Sequence, residues 1–401
     1  VSTTSSPDLA DQPVPRISQK VLVVFAEAAM AAVLVPTWLI QLKQRGCDVH
    51  VCAAPSDFLG KLASMGLPAH QIFATRRYSV WGLFKYTWSV LKLLNAERPR
   101  LVISHGAAAG VAARLAAFLA RRKCVVTNHG FIFDENMNAA GRLTLLATEG
   151  VLSRLCSAIM FVNREDCATA ESSRLFSRRT RYQYIGNGIT FAPYEDLSDV
   201  ARRRRAARAR LGFTGECAVV GFVGRLVREK GLMEFVEVIR ILGERNANAH
   251  FLVIGEAHAG DRGICRNQFL ARLDEQGLRP AVTMLGFRDD VPDILPALDV
   301  LCHPSYKESF GRVIVEAAMC SVPAVAFDVR GCRDVIAHRR TGLLVPFRDV
   351  QSLADMTARL ICDPQARGRM GIEARRRARQ LYDERAVASV FCDAVVAALE
   401  T

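Results

Sequence analysis

Short apolar runs alternate with longer stretches of helical period along almost the whole chain. Candidate strands are Val21–Phe25, Val49–Ala53, Leu101–Ser104, Cys124–Asn128 and Ala158–Val162. The series resumes at Val219–Val223, Phe251–Ile254, Val282–Leu285, Val300–His303, Ala324–Phe327 and Leu343–Val345. Segments of helix length lie between them, among them Tyr86–Ala96, Ala109–Ala120, Leu232–Glu244 and Arg312–Cys320. Such an alternation predicts parallel sheets buried on both faces, an α/β protein. The rhythm breaks once, where Tyr182–Thr190 ends in a Gly-Asn-Gly turn and a polar, Arg-rich stretch runs to about Arg210. A boundary near residue 187 follows, giving two Rossmann-like, doubly wound domains over 18–187 and 188–378. Residues 1–17 are polar and lack an apolar run, so they read as a disordered tail. Pro364–Leu399 reads as helix, and 379–401 are expected to pack back toward the first domain. Sheets of this kind bind ligands beyond the C-terminal ends of their strands, so two of them facing each other predict one deep cleft.

One stretch admits a second reading. Val21–Ile40 contains a single charge, Glu27, and is long enough to span a bilayer. A central glutamate would cost a spanning helix about 2.5–3.5 kcal/mol. Gly46 and the strand at Val49 follow at β-α-β spacing, which favours a buried strand, a turn and a helix from about Ala31. Composition supports a folded chain: of 401 residues, half are hydrophobic and 23% charged, which excludes global disorder. The twelve cysteines are scattered without metal-ligand spacing and mostly sit in apolar runs, as buried thiols of a reducing compartment do. The net charge is +13. Residues 1–187 carry 22 Lys and Arg against 12 Asp and Glu, so the first half is the basic one. Such a balance suits phosphate-bearing or membrane-surface partners, and it also serves plain solubility. Two basic helical segments, around Arg202–Arg205 and Arg375–Arg379, are open to the same pair of readings: a solvated face or a surface for anionic lipid.

The second half holds the clearest chemistry. Gly221–Gly231 follows a strand and opens a helix, with Gly224, Arg225 and Lys230 in the loop. Glycine admits close approach of a phosphate, a helix N-terminus offers free N–H groups, and two cations suit a diphosphate. By itself this is equally an ordinary strand-turn-helix with exposed charges. The dinucleotide fingerprint is missing, because Ala26-Glu-Ala-Ala-Met30 after the first strand has no glycine; a dehydrogenase is excluded. After the strand Val300–His303 comes Ser305-Tyr-Lys-Glu-Ser-Phe-Gly311, with Glu308 in the loop, Phe310 and Gly311 at the helix start, and Glu316 within the helix. One carboxylate can there meet sugar hydroxyls and the other a ribose, with a diphosphate on the amides between them.

At these motifs the chain resembles glycosyltransferase family 4, the retaining nucleotide-sugar transferases of GT-B fold. The resemblance covers about residues 18–395. It rests on Gly224-Arg225 through Lys230-Gly231, Gly255-Glu256, Gly286–Pro292, the Glu308–Glu316 motif, Val322-Pro323, Asp328–Asp334 and Thr341–Pro346. Tyr184-Ile-Gly-Asn-Gly-Ile189 resembles the interdomain linker. The resemblance implies that Gly224, Arg225 and Lys230 hold the donor diphosphate, that Glu308 lies near the donor sugar, that the Phe310–Gly311 backbone contacts sugar and phosphate, and that Glu316 binds the ribose. It also implies that no metal or other cofactor is needed, the two cations replacing magnesium. Asp289-Asp290 lies in a loop and is not read as a metal motif.

In the first half, His105 and His129 fall at the tips of adjacent strands, where both would line the cleft. Either is by default a structural histidine. The resemblance marks His129-Gly130 as the position near the reacting sugar and acceptor, with His105 the weaker candidate. It further implies a front-face substitution in which the leaving phosphate takes the acceptor proton. Arg76 and Arg77 are placed at the cleft mouth, beside the apolar-aromatic segment Trp81–Trp88. Together with the basic first half they suggest a lipid-linked saccharide acceptor, such as a polyprenyl-diphosphate sugar; a plain amphipathic surface helix accounts for the same segment. The expected protein is a bacterial surface-polysaccharide transferase using a UDP-sugar, cytoplasmic and peripheral to the anionic inner face of the membrane. A nucleotide-sugar 2-epimerase and a catalytically silent scaffold of a polysaccharide assembly complex are the alternatives. Nucleic acid is excluded because the basic residues are dispersed and not interleaved with aromatics.

Overall fold

A computed structural model describes residues 19–75, 79–131, 137–194, 200–213, 217–245, 247–257 and 266–400. The expected tail and Arg76 and Arg77 lie outside these residues. The first sheet contains β1 (Lys20–Glu27), β2 (Asp48–Ala54), β3 (Ala69–Gln71), β4 (Leu101–His105), β5 (Lys123–Asn128), β6 (Ala158–Phe161) and β7 (Arg181–Tyr184). Its order is β3-β2-β1-β4-β5-β6-β7. The second contains β8 (Ala218–Val223), β9 (Ala249–Ile254), β10 (Val282–Gly286), β11 (Val300–His303), β12 (Ala324–Phe327) and β13 (Gly342–Val345), in the order β10-β9-β8-β11-β12-β13. The strands pair in parallel throughout both sheets. In each sheet the order reverses between the first strand and the fourth, which opens a crevice at their C-terminal tips.

β1 explains why the first apolar run is a strand and not a spanning helix. Val21 to Phe25 are fully buried, and alternate residues enter different cores. Val21, Val23 and Phe25 meet the helices Pro36–Gln44 and Phe58–Ser64; Leu22 and Val24 meet Val80–Glu97 and Ala107–Leu119. The expected helix from Ala31 starts as a π-helical turn, Met30–Leu34, and becomes α-helical at Pro36, where a missing N–H costs nothing. Among the described residues no helix is long and apolar enough to cross a membrane. The described cysteines are free and mostly buried.

The C-terminal segment departs from expectation. Pro364–Leu399 is not one helix: it breaks at Tyr382-Asp383 between Pro364–Leu381 and Glu384–Glu400. Tyr382 is held there by its hydroxyl on the Asp334 carbonyl (2.8 Å), while its own carbonyl accepts from Ile189 N (3.0 Å). The helix Glu384–Glu400 then lies on the first domain, where Phe391, Cys392 and Val395 complete the core around Trp38, Leu39 and Leu42. The Arg202–Arg205 run is split: Arg202 and Arg205 lie on an exposed face, and the two between them do not. Arg203 and Arg204 bond inward, to Pro292 O (3.1 Å) and Asp299 Oδ1 (2.7 Å). Arg208 and Arg367 also pair with Asp299, whose other partner is the β8 amide of Val219. Four groups from three elements thus converge on one buried carboxylate. Arg377 of the second basic segment likewise turns inward, onto the Asp334 carbonyl (3.1 Å).

The domains touch across the cleft. Arg330 donates to Asp166 (2.7 Å), Arg333 to Glu165 (2.6 Å) and Asn163 to the Ser309 carbonyl (3.2 Å). Beside them run the two chain crossings, linked by Ile189 and Tyr382 and by Glu384 N on the Ile189 carbonyl (3.1 Å).

Candidate active site

The loops after β8 and β11 build one wall of the cleft. The β8 loop makes a short 3₁₀ turn, Arg228–Lys230, and ends at Gly231 with φ +74°. A Cβ there would sit 1.9 Å from the Pro304 carbonyl oxygen, so only glycine lets the two loops meet. The Tyr306 amide fixes them by donating to the Glu229 carbonyl (2.8 Å). This contact brings Lys230 Nζ to 2.6 Å from Glu308 Oε2. His303, at the end of β11, places Nε2 3.1 Å from the same oxygen. Burial would raise the Glu308 carboxyl, but the Lys230 ammonium and the His303 contact outweigh it and hold it well below the usual range. Glu308 is therefore an anion at neutral pH. Arg225 lies half-buried in the same loop.

Gly311 has φ +88° and opens the helix Arg312–Met319. The helical ladder begins with Ile314 and Val315 donating to the Gly311 carbonyl, so the amides before them are available to an anion. Phe310 offers only its backbone: its ring is buried and stands edge-on to Tyr382 at 5.3 Å. Gly331 supports this turn from below, with its amide on the Glu308 carbonyl (3.0 Å). Glu316 lies one helical turn beyond. Burial raises its carboxyl, and the charge of Arg312 partly offsets this.

Across the cleft, the tip of β5 carries Asn128, His129 and Gly130. Asn128 Oδ1 accepts from the Gly130 amide (2.8 Å). A Cβ on Gly130 would meet Ser309 Oγ at 2.2 Å, which measures how closely the two domains approach beside Glu308. His129 Nε2 and His105 Nδ1 are 3.0 Å apart. His105 does not line the cleft as expected. It is 1% exposed, stacked on Phe25 at 4.7 Å and flanked by Trp38 and Phe391, because the β4 tip is covered by the C-terminal helix. It supports His129, which is half-buried. Burial pushes the His129 imidazole down to about 4, so it is neutral at pH 7.

The structure thus brings Arg225, Lys230, Glu308, Phe310, Gly311 and Glu316 onto one wall and His129 onto the other. His303 was not singled out from the sequence, although it carries the signal that marked His105 and His129, a polar residue closing an apolar strand. Arg330 and Arg333 were visible only as part of a motif; their pairing across the cleft depends on a partner more than 160 residues away. Asp290, in the loop not read as a metal motif, is held by Arg288 (2.6 Å) and Arg210 (3.3 Å).

Two facing parallel sheets of this order, with the cleft at their C-terminal tips, are the GT-B architecture. Residues 37–188 match the family described as "Glycosyl transferase 4-like domain", and residues 203–377 match "Glycosyl transferases group 1". The chain belongs to this glycosyltransferase family. The capsular polysaccharide biosynthesis glycosyltransferase CapM of Staphylococcus aureus is 22% identical over 350 residues, 86% of this chain and 89% of that protein. The UDP-Gal:alpha-D-GlcNAc-diphosphoundecaprenol alpha-1,3-galactosyltransferase of Escherichia coli is 26% identical over 282 residues, 69% and 70% of the two chains. Among solved structures, HepE of Anabaena in complex with UDP and glucose superposes with a TM-score of 0.77 at 23% identity, covering 94% of this chain and 100% of that one.

Proposed function

We propose that the protein is a retaining, metal-independent glycosyltransferase that moves a sugar from a UDP-sugar to a lipid-linked saccharide in bacterial surface polysaccharide synthesis. The observation that carries this reading is the anionic Glu308 between Lys230 and His303, facing His129 across a cleft closed by Gly130 on Ser309. Glu308 receives the donor sugar hydroxyls, the Phe310–Gly311 backbone the sugar and phosphate, and Glu316 the ribose. Arg225 and Lys230 neutralise the charge that grows on the departing diphosphate. The acceptor oxygen bonds to the anomeric carbon on the face from which the phosphate oxygen leaves. The acceptor proton passes to that phosphate, and UDP departs. His129, neutral and supported by His105, orients the reacting groups. The printed substrate of the Escherichia coli relative supports a diphosphate-lipid acceptor. The basic first half supports peripheral contact with anionic membrane on the cytoplasmic side.

A thermal-shift screen with UDP, GDP, ADP and their sugar conjugates tests the donor assignment. A ligand at 100 times its dissociation constant adds about 2.7 kcal/mol. The expected result is stabilisation by a uridine nucleotide that is lost in Lys230→Ala and Glu316→Ala. No shift with any nucleotide would refute it.

A further inference from the structure

The first domain contains a cavity of about 610 Å³ that the donor chemistry does not use. That volume lies in the range of about 300–1,000 Å³ typical of small-ligand pockets. Its walls come from the helices Val80–Glu97, Ala107–Leu119 and Ala139–Ser153 and from the end of β5. Leu83, Val111, Val126, Phe131, Leu145 and Leu152 make the lining strongly apolar. The one ion pair in the wall is closed on itself among the described residues. Arg114 is 1% exposed, gives Nη1 and Nη2 to Glu149 at 2.9 and 3.2 Å, and gives Nε to the Gly110 carbonyl at 2.9 Å. It ties two walls together and presents no free charge to the space between them.

Two features say what such a cavity holds. First, Asn128 and Gly130, the two neighbours of His129 at the β5 tip, line it, and Gly130 is the residue that meets Ser309 beside Glu308. A ligand in the cavity therefore ends beside the transfer site. Second, the helix that contributes Leu83 carries on its outer face Val80, Trp81, Phe84 and Trp88, exposed by 89, 65, 56 and 51%. Lys85 lies over Trp81 (5.5 Å) and Lys92 over Trp88 (5.8 Å). Aromatic rings interleaved with lysines suit the boundary between acyl chains and anionic headgroups. An apolar cavity bordered by this helix and by the β5 tip fits a hydrocarbon chain with an anionic head.

The geometry points to this cavity as the seat of the first isoprenoid units of the acceptor, with the diphosphate toward His129 and the remaining chain leaving along Val80–Glu97. The assignment rests on the transferase reading above and adds where the lipid is held. It makes the protein a reader of chain chemistry next to the headgroup and not of the saccharide alone.

The test is calorimetric titration of the full chain with farnesyl diphosphate below its micellar concentration and without vesicles. Dimethylallyl diphosphate and inorganic diphosphate are the controls. Burying two further isoprene units should tighten binding by roughly ten-fold or more over dimethylallyl diphosphate. Thr148→Trp and Val111→Trp, which put bulk into the cavity from two different helices, should each weaken farnesyl diphosphate by about ten-fold or more. Thr148 is exposed on its helix, so the first variant burdens folding little. Stabilisation by the uridine nucleotide, measured on the same samples, should match the wild type and report an intact donor domain. Equal affinity for the two prenyl diphosphates, or undiminished binding in both variants, overturns the assignment. If that happens while the nucleotide shift persists, the transferase reading stands and only the lipid seat is lost. Chain-length-dependent binding without any nucleotide shift would keep the seat and sink the transferase reading.

Discussion

Lys230→Met removes an ammonium 2.6 Å from Glu308 Oε2 while keeping most of the aliphatic stem. The two side chains are only 21% and 15% exposed. Breaking a fully buried pair from one side costs about 3–5 kcal/mol. Here solvent still reaches the pair, and His303 Nε2 still contacts the same oxygen at 3.1 Å. The loss should therefore fall nearer the value of one charged hydrogen bond, about 1.5–3 kcal/mol. Its pH dependence is the sharper signature. In the wild type Glu308 titrates well below its unfolded value of about 4.3, so its contribution is complete above that pH and is lost only in stronger acid. In the variant the Lys230 charge no longer opposes burial and only the His303 contact does, so the carboxyl titrates higher than in the wild type. The deficit should then be largest at neutral pH and shrink as the pH falls through about 5 toward 4, where the stranded group takes up a proton. Urea midpoints at four pH values between 7.5 and 4 measure this. Lys230→Met with Glu308→Gln, which leaves no stranded charge, should be more stable at pH 7.5 than Lys230→Met alone. A deficit constant with pH, or a double variant worse by the sum of the singles, would refute the argument.

Three further outcomes follow from the same geometry. Gly231→Ala sets a Cβ 1.9 Å from a backbone oxygen at a left-handed φ, and should cost more than about 2 kcal/mol in a denaturant titration while weakening nucleotide stabilisation. His129 is pushed down to about 4, so the folded protein should lose stability as the pH falls from about 6.5 toward 4, because only the unfolded imidazole takes up the proton there. His129→Gln should reduce that slope and leave the nucleotide shift in place; an unchanged slope would mean that desolvation does not depress this imidazole. Arg330→Ala with Arg333→Ala removes the guanidinium partners of Asp166 and Glu165 across the cleft, and small-angle scattering should show a larger radius of gyration; an identical curve would show that these pairs do not hold the domains together.

Most of the legible strands are buried on both faces, because a run such as Val21–Phe25 can only be covered from two sides; the edge strand β10 was legible from its short apolar run although it is mostly part-exposed. The strands without a run to read, β3 and β7, are edge strands: Ala69–Gln71 is three residues long, and Arg181–Tyr184 is polar and part-exposed. Glu308 and Lys230 could each be named from their loops, since a loop after a strand and before a helix has one place to go. Their contact could not, because it depends on Gly231 meeting Pro304. His105 was misplaced for a related reason. The sequence shows that it ends a strand, but its cover, Phe391, comes from the far end of the chain.

That cover also sets an order of events during synthesis. Cys392 and the Trp38 carbonyl it touches are 354 positions apart, and Phe391, Val395 and Leu399 finish the core begun by β1 and β2. As the chain leaves the ribosome, the second domain can close on residues made consecutively. The first must wait with Trp38 and Leu39 uncovered until its last helix emerges. The part made first is thus sealed last, and it is the early half that would look to chaperones while translation continues.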